Sequence, residues 1–429
     1  MSGASAASVK PVSAREAVVL FLCFAFAYFF SALLRGVTAT LAPNFSSELG
    51  LGAGELGLLA GAFFFGFALT QLPLGSALDR FGPRRVQIAF LVVAVVGCAA
   101  FAVARNFVAL TFARTLIGIG VSACLMGPMT TFRRRFRPEA QMRANSWMLM
   151  TGSLGMVAST LPVQWLLPSL GWRGLFWVVG GAIALATAAI AWRVPRDEIH
   201  PVAAAASGSY AEIFRHPTFR RFAPLGCFHY GGLIAVQSLW AGPWLVNVSG
   251  QTPEAAARGL FVVNVSMLIA FMSWGAIVPR LYLRGWTAQR LIARGAALPI
   301  ATLLLALLLG PHAGAWNWAL FCVSCTVTAL AQPAIGQAFA AGLAGRALSA
   351  YNLVIFVGVF AVQWGMGLAI DASRAAGWDI VSAYRGAFAL LLGCCIVSYL
   401  WFLWRDDGGI TPIPGHAART ADNAPPCPD

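Results

Sequence analysis

An arginine inside an apolar helix is the first feature of the sequence that could do chemistry. Arg35 lies in an apolar run at about 17–42, and Tyr28, Ser31 and Thr38 share its face at helical spacing. A polar stripe on an apolar helix is typical of the wall of a water-filled cavity. A guanidinium there can hold a carboxylate by two parallel hydrogen bonds. The alternative is an arginine that snorkels or binds backbone carbonyls.

A second arginine opens the pattern Arg114-x3-Gly118-x-Gly120 in another apolar run. The two glycines would allow a neighbouring helix to approach closely. Charged groups inside an apolar environment are costly, so Arg114 is a candidate functional residue that could shape a cavity. The alternative is a structural arginine that binds carbonyls between helices.

Few groups in the apolar runs could carry a proton. No Asp or Glu lies in the middle of a predicted helix, so the candidate is His229, whose imidazole can titrate near physiological pH. The alternative for His229 is a hydrogen-bonded packing histidine. Gln237, Trp240 and Trp244 share its side of the helix. Further polar side chains expected to line a cavity are Gln71, Asn264, Asn352 and Gln363.

Composition indicates a helical membrane protein. The chain has 429 residues, 59% hydrophobic and only 10% charged, whereas about a quarter of residues are charged in soluble domains. Long continuous apolar runs exclude a transmembrane β-barrel. We predict twelve spanning helices, at about 17–42, 55–78, 87–104, 107–131, 146–168, 173–192, 222–247, 258–279, 290–310, 316–343, 349–371 and 384–404.

The charge pattern predicts the topology. The net charge of +14 is almost all arginine and falls in alternate loops, which indicates cytoplasmic loops and not nucleic-acid binding. The protein is therefore expected in a bacterial-type inner membrane, with both termini on the cytoplasmic side. The expected segments are a tail at 1–16, a six-helix bundle at 17–192, a cytoplasmic loop at 193–221, a second bundle at 222–405 and a disordered tail at 406–429.

Short patterns recur in the same order in the two halves. Pro43 and Pro243 each lie near the outer end of the first helix of a half. Trp172-Arg173-Gly174 recurs as Tyr384-Arg385-Gly386 before the last helix of each half. These matches predict a duplicated six-helix unit.

A charged segment at 75–87 separates the second and third apolar runs. Its residues fit the pattern Gly-x3-Asp-Arg-x-Gly-x-Arg-Arg, and they are Gly75, Asp79, Arg80, Gly82, Arg84 and Arg85. This pattern resembles the signature loop between helices 2 and 3 of the major facilitator superfamily of secondary transporters. The resemblance covers about 17–405 and implies an all-α fold of two pseudo-symmetric six-helix bundles.

The resemblance also implies functions for single residues. Asp79, with its neighbouring arginines, would latch the two halves together in one conformation. Arg35 resembles the helix 1 cation of relatives that carry organic anions, and the pattern at Arg114 resembles a motif associated with proton coupling. The resemblance therefore implies a symporter or permease that moves a small solute, an organic anion or related metabolite, by alternating access, and not an enzyme.

Several alternatives stay open at this point. The Gly-Pro-Gly-Gly run of drug–proton antiporters does not occur in helix 5, which disfavours drug efflux. Methionines crowd helices 4 and 5 and could serve a Cu(I) importer. A sensor without transport activity is a third alternative. We expect a monomer in the lipid bilayer with a small-molecule substrate, without cofactor, resident metal or nucleic acid, and with a co-transported proton left open.

Overall fold

The fold is built from helices. The computed structural model describes residues 13–196 and 209–405, without the side chains at 138, 341 and 342. Within these ranges nine helices are long and apolar enough to cross a membrane. A tenth span results if Ala53–Leu69 and Gln71–Phe81, which are bent by 45°, count as one.

The N-terminal half contains eight helices and is followed by one short connecting helix. The eight are α1 (Ala14–Leu49), α2 (Ala53–Leu69), α3 (Gln71–Phe81), α4 (Pro83–Val103), α5 (Phe107–Val121), α6 (Ala123–Arg135), α7 (Pro138–Ala158) and α8 (Leu161–Arg193). The connecting helix is α9 (Tyr210–Arg215).

The C-terminal half is more often interrupted. It contains α10 (Pro217–Leu225), a π-helical turn (Gly226–Tyr230), α11 (Gly231–Ala235), a second π-helical turn (Val236–Trp240), α12 (Ala241–Asn247), α13 (Pro253–Leu283), α14 (Ala288–Gly295), α15 (Ala297–Leu309), a 3-10 turn (Gly310–His312), α16 (Ala315–Cys325), a 3-10 turn (Thr326–Leu330), α17 (Ala331–Ala338), α18 (Ala341–Ala375) and α19 (Ile380–Trp404).

Six of the twelve predicted spans are formed by interrupted helices, and two of these six are not among the nine or ten apolar helices named above. The span predicted at 146–168 comprises α7 and the start of α8, which kinks at Gly171 where φ is 61°. The span predicted at 222–247 is the series of short helices and π-helical turns from α10 to α12. Length and apolarity support nine or ten spans among the described residues, so the count of twelve stays a prediction.

The first helix is longer than predicted at both ends. It begins at Ala14, where the Ser13 hydroxyl accepts a hydrogen bond from the Glu16 amide, and it continues through Pro43 to Leu49. Proline has no N–H for the carbonyl four residues earlier. That carbonyl, on Ala39, lies against Gly242 of α12, where a Cβ would be 2.5 Å from it. The proline thus stays inside the helix while its freed carbonyl lies at the contact between the two halves.

Part of the predicted organisation falls outside the described residues. These parts are residues 1–12 of the expected tail at 1–16, residues 197–208 of the central loop and the tail at 406–429. The expected bundles at 17–192 and 222–405 correspond to helices α1–α8 and α10–α19.

Glycines bring α2 and α18 together across the two halves. A Cβ at Gly57 would lie 2.4 Å from the carbonyl oxygen of Gln363, and one at Gly367 would lie 2.3 Å from that of Ala53. Such distances leave no room for a side chain, so the backbones of the two helices are in direct contact.

Contacts at the helix ends repeat in the two halves. Trp172 at the kink of α8 donates through its indole N–H to Glu48 at the end of α1, over 2.5 Å. Tyr384 near the start of α19 accepts at its hydroxyl from the Asn247 side chain at the end of α12, over 3.0 Å. The recurring sequence patterns thus form equivalent contacts, as expected for a duplicated unit.

Candidate functional site

Arg35 lies near the middle of α1 and has no carboxylate partner among the described residues. Its guanidinium lies over the ring of Phe67, with Cζ 5.6 Å from the ring centroid. The phenols of Tyr28 and Tyr230 are its electrostatic neighbours. Its Nε is buried and has no hydrogen-bond partner among the described residues. The two ion pairs found in the described chain, Arg134–Asp79 and Arg173–Glu48, lie at helix ends.

Helix interruptions surround this arginine. Helices α2 and α3 meet at Thr70, one turn beyond Phe67. Tyr230 closes a π-helical turn. Such turns are rare and occur often at functional sites. Helices α5 and α6 meet at Ser122. The Ser31 hydroxyl, one turn before Arg35 on α1, is 3.5 Å from the carbonyl oxygen of Val121 beside this break. Interrupted helices near the middle of the membrane are typical of transporter substrate sites.

The break at Thr70 has a cause in the sequence. Pro73 follows it by three residues and has no N–H to donate to the Leu69 carbonyl. The Thr70 hydroxyl and the Gln71 amide instead donate to the Phe67 carbonyl, over 2.8 and 3.1 Å. Gln71, predicted to line the cavity, thus uses its amide to hold the bend beside the Phe67 ring.

Aromatic rings from both halves lie beside Arg35. The ring of Phe67 on α2 lies 4.4 Å, centroid to centroid, from Phe356 on α18. Phe64 stacks on Phe356 at 6.3 Å. Tyr351, one turn before Phe356, is buried with a hydroxyl that has no partner in the described chain. A Cβ at Gly226 would lie 2.7 Å from that hydroxyl. The arrangement joins one cation, several apolar rings and three phenols.

Such a set of groups suits an anion that carries an aromatic ring. A guanidinium binds a carboxylate in a planar, bidentate geometry. Aromatic side chains pack favourably against another ring, edge to face or offset. A phenol hydroxyl can both donate to and accept from a hydroxyl group on a ligand.

Arg114 is held within the N-terminal half. It is 1% exposed, its Nη2 donates to the Thr38 hydroxyl, and its Cζ lies 5.0 Å from the centroid of Phe63. Its Nε and Nη1 have no partner in the described chain. Gly118 lets α5 approach α2, since a Cβ there would lie 2.0 Å from the Phe63 carbonyl oxygen. Phe63 stacks on Phe67 at 6.2 Å and so connects Arg114 with the surroundings of Arg35.

His229 faces away from Arg35. It is fully buried, and its Nε2 lies 3.0 Å from the Cys395 carbonyl oxygen on α19, while Nδ1 has no partner in the described chain. The nearby Tyr230 reaches Arg35 instead. A proton-carrying role for His229 stays a prediction, and the hydrogen bond to α19 is the contact expected of a packing histidine.

The other predicted polar residues form separate pairs. Gln237 donates to Asn264 over 2.9 Å and Gln363 donates to Ser238 over 3.0 Å. The Gln363 carbonyl accepts from the indole of Trp240 over 3.2 Å. Asn352 accepts from Gln332 on α17 over 3.2 Å. All four contacts join neighbouring elements of the C-terminal half, and none of them involves Arg35.

The segment at 75–87 is more helical than predicted. Helix α3 continues to Phe81, so Gly75, Asp79 and Arg80 lie in a helix, and the turn narrows to Gly82 with φ of 81°. The positive φ is a conformation that glycine adopts without strain. Pro83 then begins α4.

The charged groups of this segment tie the helix ends of one half together. Asp79 lies 3.6 Å from Arg134 on α6, with 58% of its side chain exposed. Arg84 donates to the Ala191 carbonyl on α8 over 2.5 Å. Arg80 lies over the Phe81 ring, and Arg85 is exposed.

Four residues of the site were missed by reasoning from the sequence. They are Phe67, Tyr230, Tyr351 and Phe356. The tyrosines carry a usable signal, because the chain has only seven and Tyr28, Tyr230 and Tyr351 all lie in apolar runs. The phenylalanines carry none, because thirty are spread through the chain.

The chain matches a known family over most of its length. The family described as Major Facilitator Superfamily matches residues 24–363. In structure, a bacterial homologue of the human lysosomal transporter Spinster, inward-facing and unoccupied, superposes with a TM-score of 0.71 at 17% identity. The superposition covers 92% of this chain and 98% of that one, and at this identity it shows the fold alone.

Individual relatives are named as transporters of organic anions. The gallate transporter of Pseudomonas putida is 27% identical over 62% of this chain and 66% of its own length. The 4-hydroxybenzoate transporter of Acinetobacter baylyi is 26% identical over 40% of this chain and 37% of its own length. A probable sulfoacetate transporter of Cupriavidus necator is 26% identical over 63% of this chain and 66% of its own length. The matches thus span just under two thirds of these relatives, or less.

Proposed function

The chain belongs to the Major Facilitator Superfamily, and we propose that it carries small organic anions, aromatic carboxylates in particular, across the membrane by alternating access. One observation carries the proposal: the guanidinium of Arg35 lies over the Phe67 ring, near the middle of α1, without a carboxylate partner in the described chain. A cation in the membrane interior without a carboxylate partner is costly unless a ligand supplies the negative charge. The names of the gallate and 4-hydroxybenzoate transporters agree with an aromatic acid.

Each group of the site has a distinct task in this proposal. Arg35 holds the carboxylate by paired hydrogen bonds. The touching rings of Phe67 and Phe356, one from each half of the protein, offer an apolar surface against which the aromatic ring packs. Tyr28 and Tyr230 contact the bound anion beside Arg35. Because the two phenylalanines belong to different halves and are in contact with each other, a ligand packed against this pair would contact both halves.

Transport then requires the halves α1–α8 and α10–α19 to rock about this site. Arg114 fixes α5 against α1 and α2 and so keeps the wall behind Arg35 in place. His229 is the candidate for a co-transported proton, although its contact with Cys395 equally fits a purely structural role. Gln237, which is paired with Asn264, remains a candidate cavity residue on the outer side of the site.

We further propose the cellular setting on the charge pattern. Arginines concentrated in alternate loops favour a bacterial inner membrane with both termini in the cytoplasm. All proposed site residues belong to one chain, so a monomer is sufficient for transport. Asp79, Gly75 and the arginines of the 75–87 segment then lie on the cytoplasmic side.

The alternative of copper import finds no support in the methionine positions. Met142 is 72% exposed whereas Met148 is fully buried, so these two methionines do not face one common site. A drug antiporter would select cations, which the charge of Arg35 repels. An organic anion without a ring, such as sulfoacetate, is the second candidate, because Arg35 alone would suffice to bind it.

The test is uptake into proteoliposomes that contain the purified protein. We expect uptake of labelled 4-hydroxybenzoate or gallate, loss of at least about tenfold in Arg35→Gln, and near-normal uptake in Arg105→Gln. Arg105 is exposed beyond the end of α4, so this control removes an arginine away from the site. Uptake of sulfoacetate but of no aromatic acid would favour the second candidate. Undiminished uptake in Arg35→Gln would refute the proposed site.

A further inference from the structure

Asp371 connects the two halves of the protein at the outer ends of their helices. It lies near the end of α18, in the C-terminal half. Its carboxylate accepts hydrogen bonds from the backbone amides of Ala53, over 3.0 Å, and Gly54, over 2.7 Å. These amides form the first turn of α2, in the N-terminal half.

The start of α2 needs such a partner. The first amides of a helix have no acceptor within the helix, and they carry the positive end of the helix dipole. The residue before α2 is Gly52, which has no side chain to accept them. Glu55 accepts only from the Gly52 amide, over 3.1 Å. The next two amides are therefore capped from the other half of the protein.

The surrounding backbone is shaped for this contact. A Cβ at Gly54 would lie 2.7 Å from the carboxylate of Asp371, and a Cβ at Gly52 would lie 3.3 Å from it. Glycine at both positions lets the carboxylate reach the amides. Glu55 lies in the same first turn of α2, and the Tyr384 phenol of α19 is an electrostatic neighbour of Asp371.

The inner end of the α2–α3 helix pair makes a different carboxylate contact from its outer end. At the inner end of α3, Asp79 pairs with Arg134 of its own half, and its side chain is 58% exposed. At the outer end, Asp371 bonds directly to the other half. The carboxylate contact between the halves is thus made at the outer side in this structure, where Gly242 also lies against the Ala39 carbonyl.

We propose that Asp371 is an outer latch, which caps the start of α2 to close the outer side of the transporter and so favours the inward-facing state. Opening towards the outside must break both hydrogen bonds and expose the two amides. The inference does not depend on which anion is carried, so it can fail while the proposed function holds, and the reverse.

The experiment compares two aspartates that cap helices on the same side. Asp371→Asn and Asp371→Ala remove the charge that joins the halves. Asp379→Asn is the matched control, because Asp379 caps α19 of its own half by accepting from the Ser382 amide over 3.1 Å. Hydrogen–deuterium exchange followed by mass spectrometry is measured on the purified protein without substrate, and thermal melting confirms that each variant is folded.

The latch predicts opposite changes at the two ends of the transporter. In Asp371→Ala, exchange at the start of α2 rises roughly fivefold, the scale of one charge at a helix N-terminus. Exchange at the inner end of α3 falls, since outward opening closes the inner side. Asp371→Asn gives smaller changes of the same signs, and Asp379→Asn leaves both ends of the α2–α3 pair unchanged.

Two results would overturn the proposal. Faster exchange at the start of α2 without slower exchange at the inner end of α3 would mean that Asp371 only caps a helix. Equal changes in the Asp371 and Asp379 variants would mean that any lost cap on this side loosens the fold. Gly54→Ala supplies an independent check, because its Cβ displaces the carboxylate without removing the charge, and it must reproduce the Asp371→Asn pattern.

Discussion

A methyl group added at Gly367 should destabilise the protein by forcing α2 and α18 apart. The Cβ of Gly367→Ala would lie 2.3 Å from the Ala53 carbonyl oxygen and 2.9 Å from Cα of Gly54. Both obstacles are backbone atoms, so no side chain can rotate away. Gly365, two residues earlier on α18, has no atom within 4 Å of an added Cβ, and Gly365→Ala is therefore the matched control.

The expected cost follows from this geometry. The helices must separate by close to 1 Å to restore an ordinary contact, and overpacking of this kind costs about 1–3 kcal/mol. In Gly365→Ala the added methyl meets no obstacle, and alanine is favoured over glycine in helices by roughly 0.5–1 kcal/mol. One substitution should thus destabilise the protein and the other leave it unchanged or slightly stabilised.

Thermal melting of the two variants in the same detergent measures the difference. We expect a lower melting temperature for Gly367→Ala, by about 2–4 °C for each kcal/mol lost, and an unchanged or slightly higher one for Gly365→Ala. Equal melting temperatures for the two variants would refute the backbone contact between α2 and α18.

Two further predictions concern arginines that hold helices together. Arg114→Lys should lower stability by about 1–3 kcal/mol, because lysine loses the planar contact with Phe63 and leaves the Thr38 hydroxyl without its donor; thermal melting checks this, and an unchanged melting temperature would contradict it. Glu48→Gln should cost less than about 1 kcal/mol, because its ion pair with Arg173 is more than one-third exposed on both sides; a large drop in melting temperature would show that this contact is more than a surface pair.

Local patterns in the sequence predict what lies on one helix. The polar stripe of α1 places Tyr28 beside Arg35 because residues at helical spacing share a face whatever surrounds them. The charged segment at 75–87 identifies the family because its residues are consecutive. The extent of that segment was predicted less well, since α3 continues to Phe81 and only Gly82 forms the turn.

Contacts between distant segments could not be predicted in the same way. Phe67, Tyr230 and Phe356 reach the site from three helices, and periodicity along one helix does not show which helices meet. The interruption at Thr70 was missed although Pro73 marks it, because the apolar run continues through it without change. The cross-half contact of Asp371 needs backbone amides, which no side-chain pattern reveals.

The most direct test of the account measures binding of an acid and of its carboxamide to the purified protein. Isothermal titration calorimetry with 4-hydroxybenzoate and 4-hydroxybenzamide compares ligands of nearly equal shape that differ in charge. We predict that the acid binds at least about tenfold more tightly, since hydrogen bonds to a charged group contribute about 1.5–3 kcal/mol, and that Arg35→Gln removes the difference. Equal affinities in the unmodified protein, or a preference for the acid that survives in Arg35→Gln, would contradict a carboxylate site at Arg35.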